Sequence, residues 1–129
     1  MMGRFIHGPS LSQMLKTLLG QSAEKRAEIF LESNGLILVT RNWRCRFGEI
    51  DLIMQDGATR VFVEVRLRSR SDFGGAAASV TTTKQRKLLA AARQYLTTLR
   101  TLPPCRFDVV AMSGDTRPDW IKNAFDDMG

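Results

Sequence analysis

An α/β (α+β) fold, ordered helix, three strands, helix, strand, is what this chain predicts, and three observations carry the prediction. Apolar residues recur at helical spacing in two stretches, Leu19 to Leu31 and Leu88 to Leu99. Between them, Arg60 to Arg68 alternates strictly between apolar and charged residues, the signature of a strand. An Asp56-Gly57 turn signal joins that strand to another apolar run. The 129 residues, 43% hydrophobic and 25% charged, suit a single folded domain and argue against a disordered or repetitive chain.

Gly8, Pro9 and their polar neighbours predict a flexible N-terminal arm over residues 1–18, with one domain over residues 19–129. The first helix is expected from Gly20 to Asn34, stopped by Asn34-Gly35. Leu36 to Arg44 and Glu49 to Gln55 read as strands, which with Arg60 to Arg68 form an antiparallel meander. Gly74, Gly75 and the small residues around them make Ser69 to Val80 a flexible loop. Thr81 to Thr83 can cap the second helix, whose apolar face runs through Leu88, Ala92, Tyr95, Leu96 and Leu99 until Pro103-Pro104. Cys105 to Met112 is a further buried strand. The type of the last element, Asp119 to Phe125, is left open.

Nineteen Lys and Arg against thirteen Asp and Glu give a formal charge of +6, and fourteen of the cations are arginine, the side chain suited to bidentate phosphate contacts. A polyanion partner fits that excess. No apolar run approaches the roughly 20 residues of a membrane span, and polar residues interrupt any secretory segment near the start, so the expected location is cytoplasmic, away from membranes. Cys45 and Cys105 are too few for a disulfide framework and are expected as reduced, buried thiols. His7, the single histidine, lies in the arm, which argues against Ser-His-Asp or Cys-His catalysis. Trp43 and Trp120 read as packing residues rather than base-stacking platforms.

The carboxylates carry the chemistry. Alternation puts Glu49 and Asp51 on one face of their strand, with Ile50, Leu52 and Met54 on the other, and puts Glu64, Arg66 and Arg68 opposite the valines of the next strand. A loop of about four residues, Asp56 to Thr59, pairs Gln55 with Arg60 and places Asp51 directly opposite Glu64. A two-residue Asp56-Gly57 turn instead sets Glu49 against Glu64. In both registers the acids share a face, and opposed like charges need compensation. A divalent cation provides it, or Arg66 and Arg68 do so as an ion-pair network; on spacing alone the network is the commoner arrangement. In the first helix Glu24 lies roughly 90° from the apolar stripe and borders the packed face, whereas Glu28 and Glu32 read as solvated charges. Arg66, Arg68 and Arg70 suit a phosphate backbone.

In this order the residues are recognisable. Gly48-Glu49-Ile50-Asp51-Leu52-Ile53, then Phe62-Val63-Glu64-Val65-Arg66, resembles the central signature of the YraN family of uncharacterised bacterial proteins. That family is similar to the Holliday junction resolvase branch of the PD-(D/E)xK nucleases. The resemblance extends through Glu24 and Ala27 to Gly35, Phe73-Gly74, Lys84-Gln85 and Arg106-Phe107-Asp108-Val109-Val110, roughly Gly20 to Phe125. It implies a restriction-endonuclease-like core, a mixed central sheet flanked by helices. It implies that Asp51 and Glu64 bind Mg²⁺ or Mn²⁺ with Glu24 joining or positioning the site. Arg66 stands at the position of the motif lysine, and Lys84 and Gln85 lie near the scissile phosphate. Glu24, Asp51, Glu64, Arg66 and Lys84 are then the expected catalytic set, and Arg66, Arg68, Arg70, Lys84 and Gln85 the expected DNA contacts. The implied activity is endonucleolytic cleavage of DNA, branched or otherwise structured, by a homodimer as in resolvases generally. The alternative is a binding module that keeps the fold with little or no catalysis. With the resemblance added, the metal reading takes precedence over the ion-pair network.

Overall fold

The computed structural model describes residues 10–67, 80–113 and 117–125, with side chains omitted for residue 13 and residues 15–21. Helix α1 (Leu11–Ser33) leads into strands β1 (Ile37–Cys45), β2 (Gly48–Asp56) and β3 (Thr59–Leu67), then helix α2 (Thr82–Leu96) and strands β4 (Cys105–Met112) and β5 (Asp119–Phe125). The five strands form one sheet in sequence order, antiparallel throughout except for the parallel β3–β4 pair. That parallel pair needs a long crossover, which α2 supplies. The open C-terminal element is therefore an edge strand.

The two helices cover opposite faces. Ala23, Ala27 and Leu31 of α1 pack on Leu52, Met54, Val61, Val63, Val110 and Met112, while Ala91, Ala92 and Tyr95 of α2 pack on Ile50, Ile53, Phe62 and Phe107. A sheet covered on both sides explains why Val61, Phe62 and Val63 are all buried. It also corrects the expectation of one charged face per strand: both faces of β2 and β3 are covered along their apolar stretches.

Helix α1 starts at Leu11 rather than Gly20, so residues expected in the arm are helical. Ser10 three residues before Gln13 is a capping-box pattern, and the Ser10 carbonyl accepts the first helical bond, from Met14 N at 2.9 Å. Thr81 caps α2, its hydroxyl accepting the Lys84 N–H. Cys105 is exposed and Cys45 half-buried, both as free thiols; the expectation of buried thiols fails because each sits at a strand end. The loop expected over Ser69 to Val80 lies outside the described residues except for Val80. Among the described residues no helix is long and apolar enough to cross a membrane.

The β2–β3 register is the one with Gln55 opposite Arg60, continuing through Asp56 opposite Thr59 so that the turn itself is Gly57-Ala58. Gly57 takes φ +59 there, a left-handed conformation that costs glycine nothing. At the far end the ladder runs only to Leu52 opposite Val63. Alternation also breaks nearby. In β1, Asn42 adopts φ +49, a region asparagine tolerates, between the pairs Arg41–Leu52 and Trp43–Ile50. Opposite it, alternation in β2 breaks between Ile50 and Leu52: Ile50 joins Ile53 on the α2 face while Leu52 and Met54 stay under α1. Strict alternation had placed Ile50 with Leu52.

Candidate active site: a pair of carboxylates where two strands part

Asp51 sits at this break in alternation. Where the β2–β3 ladder ends, its Oδ2 accepts the Val65 backbone N–H at 2.9 Å. Glu64, on the same stretch of β3, is 4% exposed. The Asp51 and Glu64 carboxyls stand close enough for each to act on the other's acidity. Two cations approach Glu64 Oε2: Arg66 at 3.6 Å and Lys84 at 3.7 Å. Lys84 reaches it because the Thr81 cap fixes the first turn of α2 beside β3.

These acids are costly to ionise. Burial, then the neighbouring Glu64 charge, pushes the Asp51 carboxyl up to about 8, against the opposing pull of the Val65 N–H. Burial likewise raises Glu64, although Lys84 and Arg66 resist the shift. The two protons belong to the pair rather than to either residue. Glu64 Oε1 is buried and has no hydrogen-bond partner. A buried acceptor left unsatisfied is unfavourable, and a cation facing it would remove that cost. On the chemistry of the donors, hard carboxylate oxygens fit Mg²⁺ or Mn²⁺.

Glu24 stands at the rim. Its Oε1 accepts from Asn42 Nδ2 at 2.8 Å, and its charge adds to the strain on Asp51. With Ala23, Val65, Arg66 and Leu67 it lines a groove of about 270 Å³ between α1 and the end of β3. Among the described residues no group of three acids stands close enough to hold an ion, so Glu24 is a neighbour of the pair rather than a preformed third ligand. Gln85 spends its side-chain amide on the Val80 carbonyl at 3.0 Å, fixing the entry to α2. Arg68 and Arg70 lie outside the described residues. Trp43 packs edge-on against Tyr95 at 5.4 Å, and Trp120 against Phe30 at 5.9 Å, which makes both packing residues.

Two buried acids escaped the sequence reading. Glu28, expected in solvent, is 2% exposed, because Arg41 of β1 folds over it with contacts of 2.6 and 3.0 Å. That hydrogen-bonded Arg41 holds the Glu28 carboxyl below its usual range. Asp108 is wholly buried and accepts from Arg106 Nε, Trp120 Nε1 and the Asn123 N–H. A lone acid within the apolar run Phe107 to Met112 was its only signal.

A five-stranded mixed sheet between two helices, with an acid at the parting of two strands and a second on the neighbouring strand, defines a restriction-endonuclease-like core. The model of Uncharacterised protein family UPF0102 matches residues 23–112. Relatives agree: a UPF0102 protein of Nitrosospira multiformis is 58% identical over 115 residues, covering 88% of this chain and 97% of the relative. One of Nitrosomonas eutropha is 57% identical over 108 residues, 84% of this chain and 93% of the relative, and one of Aeromonas hydrophila is 57% identical over 109 residues, 82% and 83%. The chain belongs to the UPF0102 (YraN) family.

Proposed function

We propose that the protein is a metal-dependent endonuclease that hydrolyses phosphodiester bonds in branched or otherwise structured DNA. The observation that carries this reading is the Asp51–Glu64 pair: a half-buried and a buried carboxylate close together, both raised in pKa, one with an unsatisfied oxygen. Acids raised by burial and by a neighbouring carboxyl, beside fixed cations, are an arrangement that catalytic sites use. Asp51 and Glu64 would hold Mg²⁺ or Mn²⁺, with Glu24 at the rim of the site, where its charge acts on Asp51. Such an ion supplies an activated water and neutralises charge on the phosphate.

The remaining roles belong to the chain. The Val65 N–H fixes the Asp51 carboxylate in one orientation. Lys84, on a helix end aimed at the site, neutralises a phosphate oxygen. Arg66 stays protonated, so it orients the attacking water or stabilises negative charge but cannot accept the water's proton as a lysine could. Arg66, Lys84 and Gln85 lie where a DNA backbone would pass, and Arg68 and Arg70 would extend that path.

That substitution of arginine for the motif lysine, together with the lack of a third clustered acid among the described residues, favours the second reading, a DNA-binding module with little catalysis. Cleavage of a panel of single-stranded, duplex, flap and four-way DNA with Mg²⁺ or Mn²⁺ separates the two. Binding that weakens steeply between 50 and 200 mM salt, as expected on the order of counterion release, with no cleavage of any substrate, leaves the module standing. Equal and negligible binding at both salt concentrations removes both readings.

A further inference from the structure

Resting on the nucleic-acid reading, we propose that the β1–β2 turn is a stacking platform for an unpaired base, with Phe47 as its ring and Arg46 as its prop. The substrate class is then DNA carrying a single-stranded segment beside the carboxylate pair.

Phe47 is an exposed aromatic at the tip of a hairpin, 37% accessible. Single exposed apolar residues are ordinary, but this one is held. The Arg46 guanidinium lies over its ring, 4.8 Å from the centroid, a cation–π contact that puts positive charge beside the aromatic face. Gly48, which follows, takes φ +146, so the turn re-enters β2 in a conformation other residues resist. Three residues further along that strand is Asp51, about 10 Å away at 3.3 Å per residue.

The turn also lies on the side from which Lys84 reaches the acids. A Cβ placed on Gly48 would meet Lys87 Cβ at 3.9 Å, so the turn rests against α2. Lys87 is one helical step from Lys84 on the same face, and Lys84 Nζ is 3.7 Å from Glu64 Oε2. Lys84 and Lys87 therefore link the carboxylates to the turn that carries Phe47: acids, cations for a backbone, then a turn with an exposed aromatic. Single-stranded nucleic acid is recognised by this combination of basic track and stacking ring, whereas a duplex hides its base faces.

The test is binding in the presence of EDTA, so that cleavage plays no part. Fluorescence anisotropy would compare a blunt duplex with a fork of the same duplex carrying unpaired arms. Phe47→Ala should weaken fork binding about five- to tenfold, the effect expected from losing one stacked base, and change duplex binding less than about twofold. Phe47→Trp should retain the wild-type preference. Wild type on a fork with abasic arms should bind as weakly as Phe47→Ala on the intact fork, with no further loss when both changes are combined. If Phe47→Ala melts early, Phe47→Leu keeps the apolar bulk without the ring and should show the same loss. Equal losses on fork and duplex, or none on either, overturn the platform. No binding of either DNA by wild type overturns the platform and the nucleic-acid reading together. Fork preference lost in Phe47→Ala, alongside no cleavage with Mn²⁺, upholds the platform while defeating the endonuclease alone.

Discussion

Asp108 and Glu64 are buried acids on adjacent parallel strands, exposed by 0% and 4%, and the fold treats them in opposite ways. Around Asp108 both oxygens are used: Arg106 Nε at 3.0 and 3.2 Å, Trp120 Nε1 at 3.0 Å, Asn123 N at 2.9 Å. Arg106 also reaches Asp56 at 2.8 Å. The acid is a clasp that fastens the edge strand β5 to β4. Glu64 has one unsatisfied oxygen, distant cations and a second carboxyl beside it. One acid has been finished for stability and the other has been left incomplete, and incompleteness in a buried polar group marks a place for a ligand.

The largest consequence concerns the clasp. Asp108→Ala should destabilise by about 3–5 kcal/mol, the range for removing one partner of a buried, hydrogen-bonded ion pair. On a chain of this size that is a fall in Tm of roughly 10–20 °C. Differential scanning calorimetry measures it. A fall no larger than that of an exposed surface substitution would mean that the clasp does not hold β5.

The pair should respond in the opposite sense. Asp51→Asn in chelator and at pH 8 should leave Tm unchanged or raise it, since it removes a charge that burial penalises. The same change should abolish Mn²⁺ heat in calorimetric titration and slow cleavage at least about 100-fold, about 2.7 kcal/mol of barrier. Identical Mn²⁺ isotherms for wild type and Asp51→Ala would reduce the pair to an ion-pair network.

Acidity distinguishes the two kinds of acid as well. The Asp51 carboxyl is raised from 3.8 to about 8, so between those values the folded state holds a proton that the unfolded state has lost. Stability attributable to Asp51 therefore falls as pH rises through that window, by at most about 1.4 kcal/mol per pH unit. Glu28 runs the other way: its carboxyl is lowered by Arg41, so its contribution is present above the ordinary glutamate range and is lost as pH falls through the lowered value. Denaturant melts in chelator from pH 3 to 9, comparing wild type with Asp51→Asn and Glu28→Gln, should give difference curves of opposite slope. Parallel curves would show that Asp51 is solvated.

What the sequence disclosed follows the same division. Elements with a clean period were legible, because apolar spacing reports directly which face is covered. That the acids of β2 and β3 share a face was legible in either register, but turn chemistry left two registers open and the structure chose between them. Local backbone departures were not: the left-handed conformation of Asn42 is a tolerance of asparagine, not a requirement, and the break that puts Ile50 and Leu52 on different faces leaves no mark in the alternation. Glu28 was misread because its position on α1 says nothing of Arg41 arriving from β1. The Lys84 approach depends on where the crossover helix begins, which spacing alone does not fix; the resemblance supplied it. Phe47 gave no signal, since a single aromatic in a short turn acquires meaning only from its neighbours.

The smallest effect is expected at Arg66, and it tests whether the incomplete acid serves catalysis. The guanidinium is 3.6 Å from Glu64 Oε2, too long for a tight pair and suited to a group that also meets substrate. If its charge is what cleavage requires, Arg66→Lys should retain or increase the rate, because it keeps the cation and restores the residue that the nuclease motif carries there. Arg66→Ala should lose about tenfold, or about 1.4 kcal/mol. If Arg66 instead only balances Glu64, the alanine variant should melt at a lower temperature with no selective loss of turnover, which would place Arg66 with Asp108 among the structural contacts. Tm and cleavage rate measured on the same three preparations decide between these outcomes. Full activity in Arg66→Ala would remove Arg66 from the site, and inactivity in all three with DNA binding intact would favour the binding module.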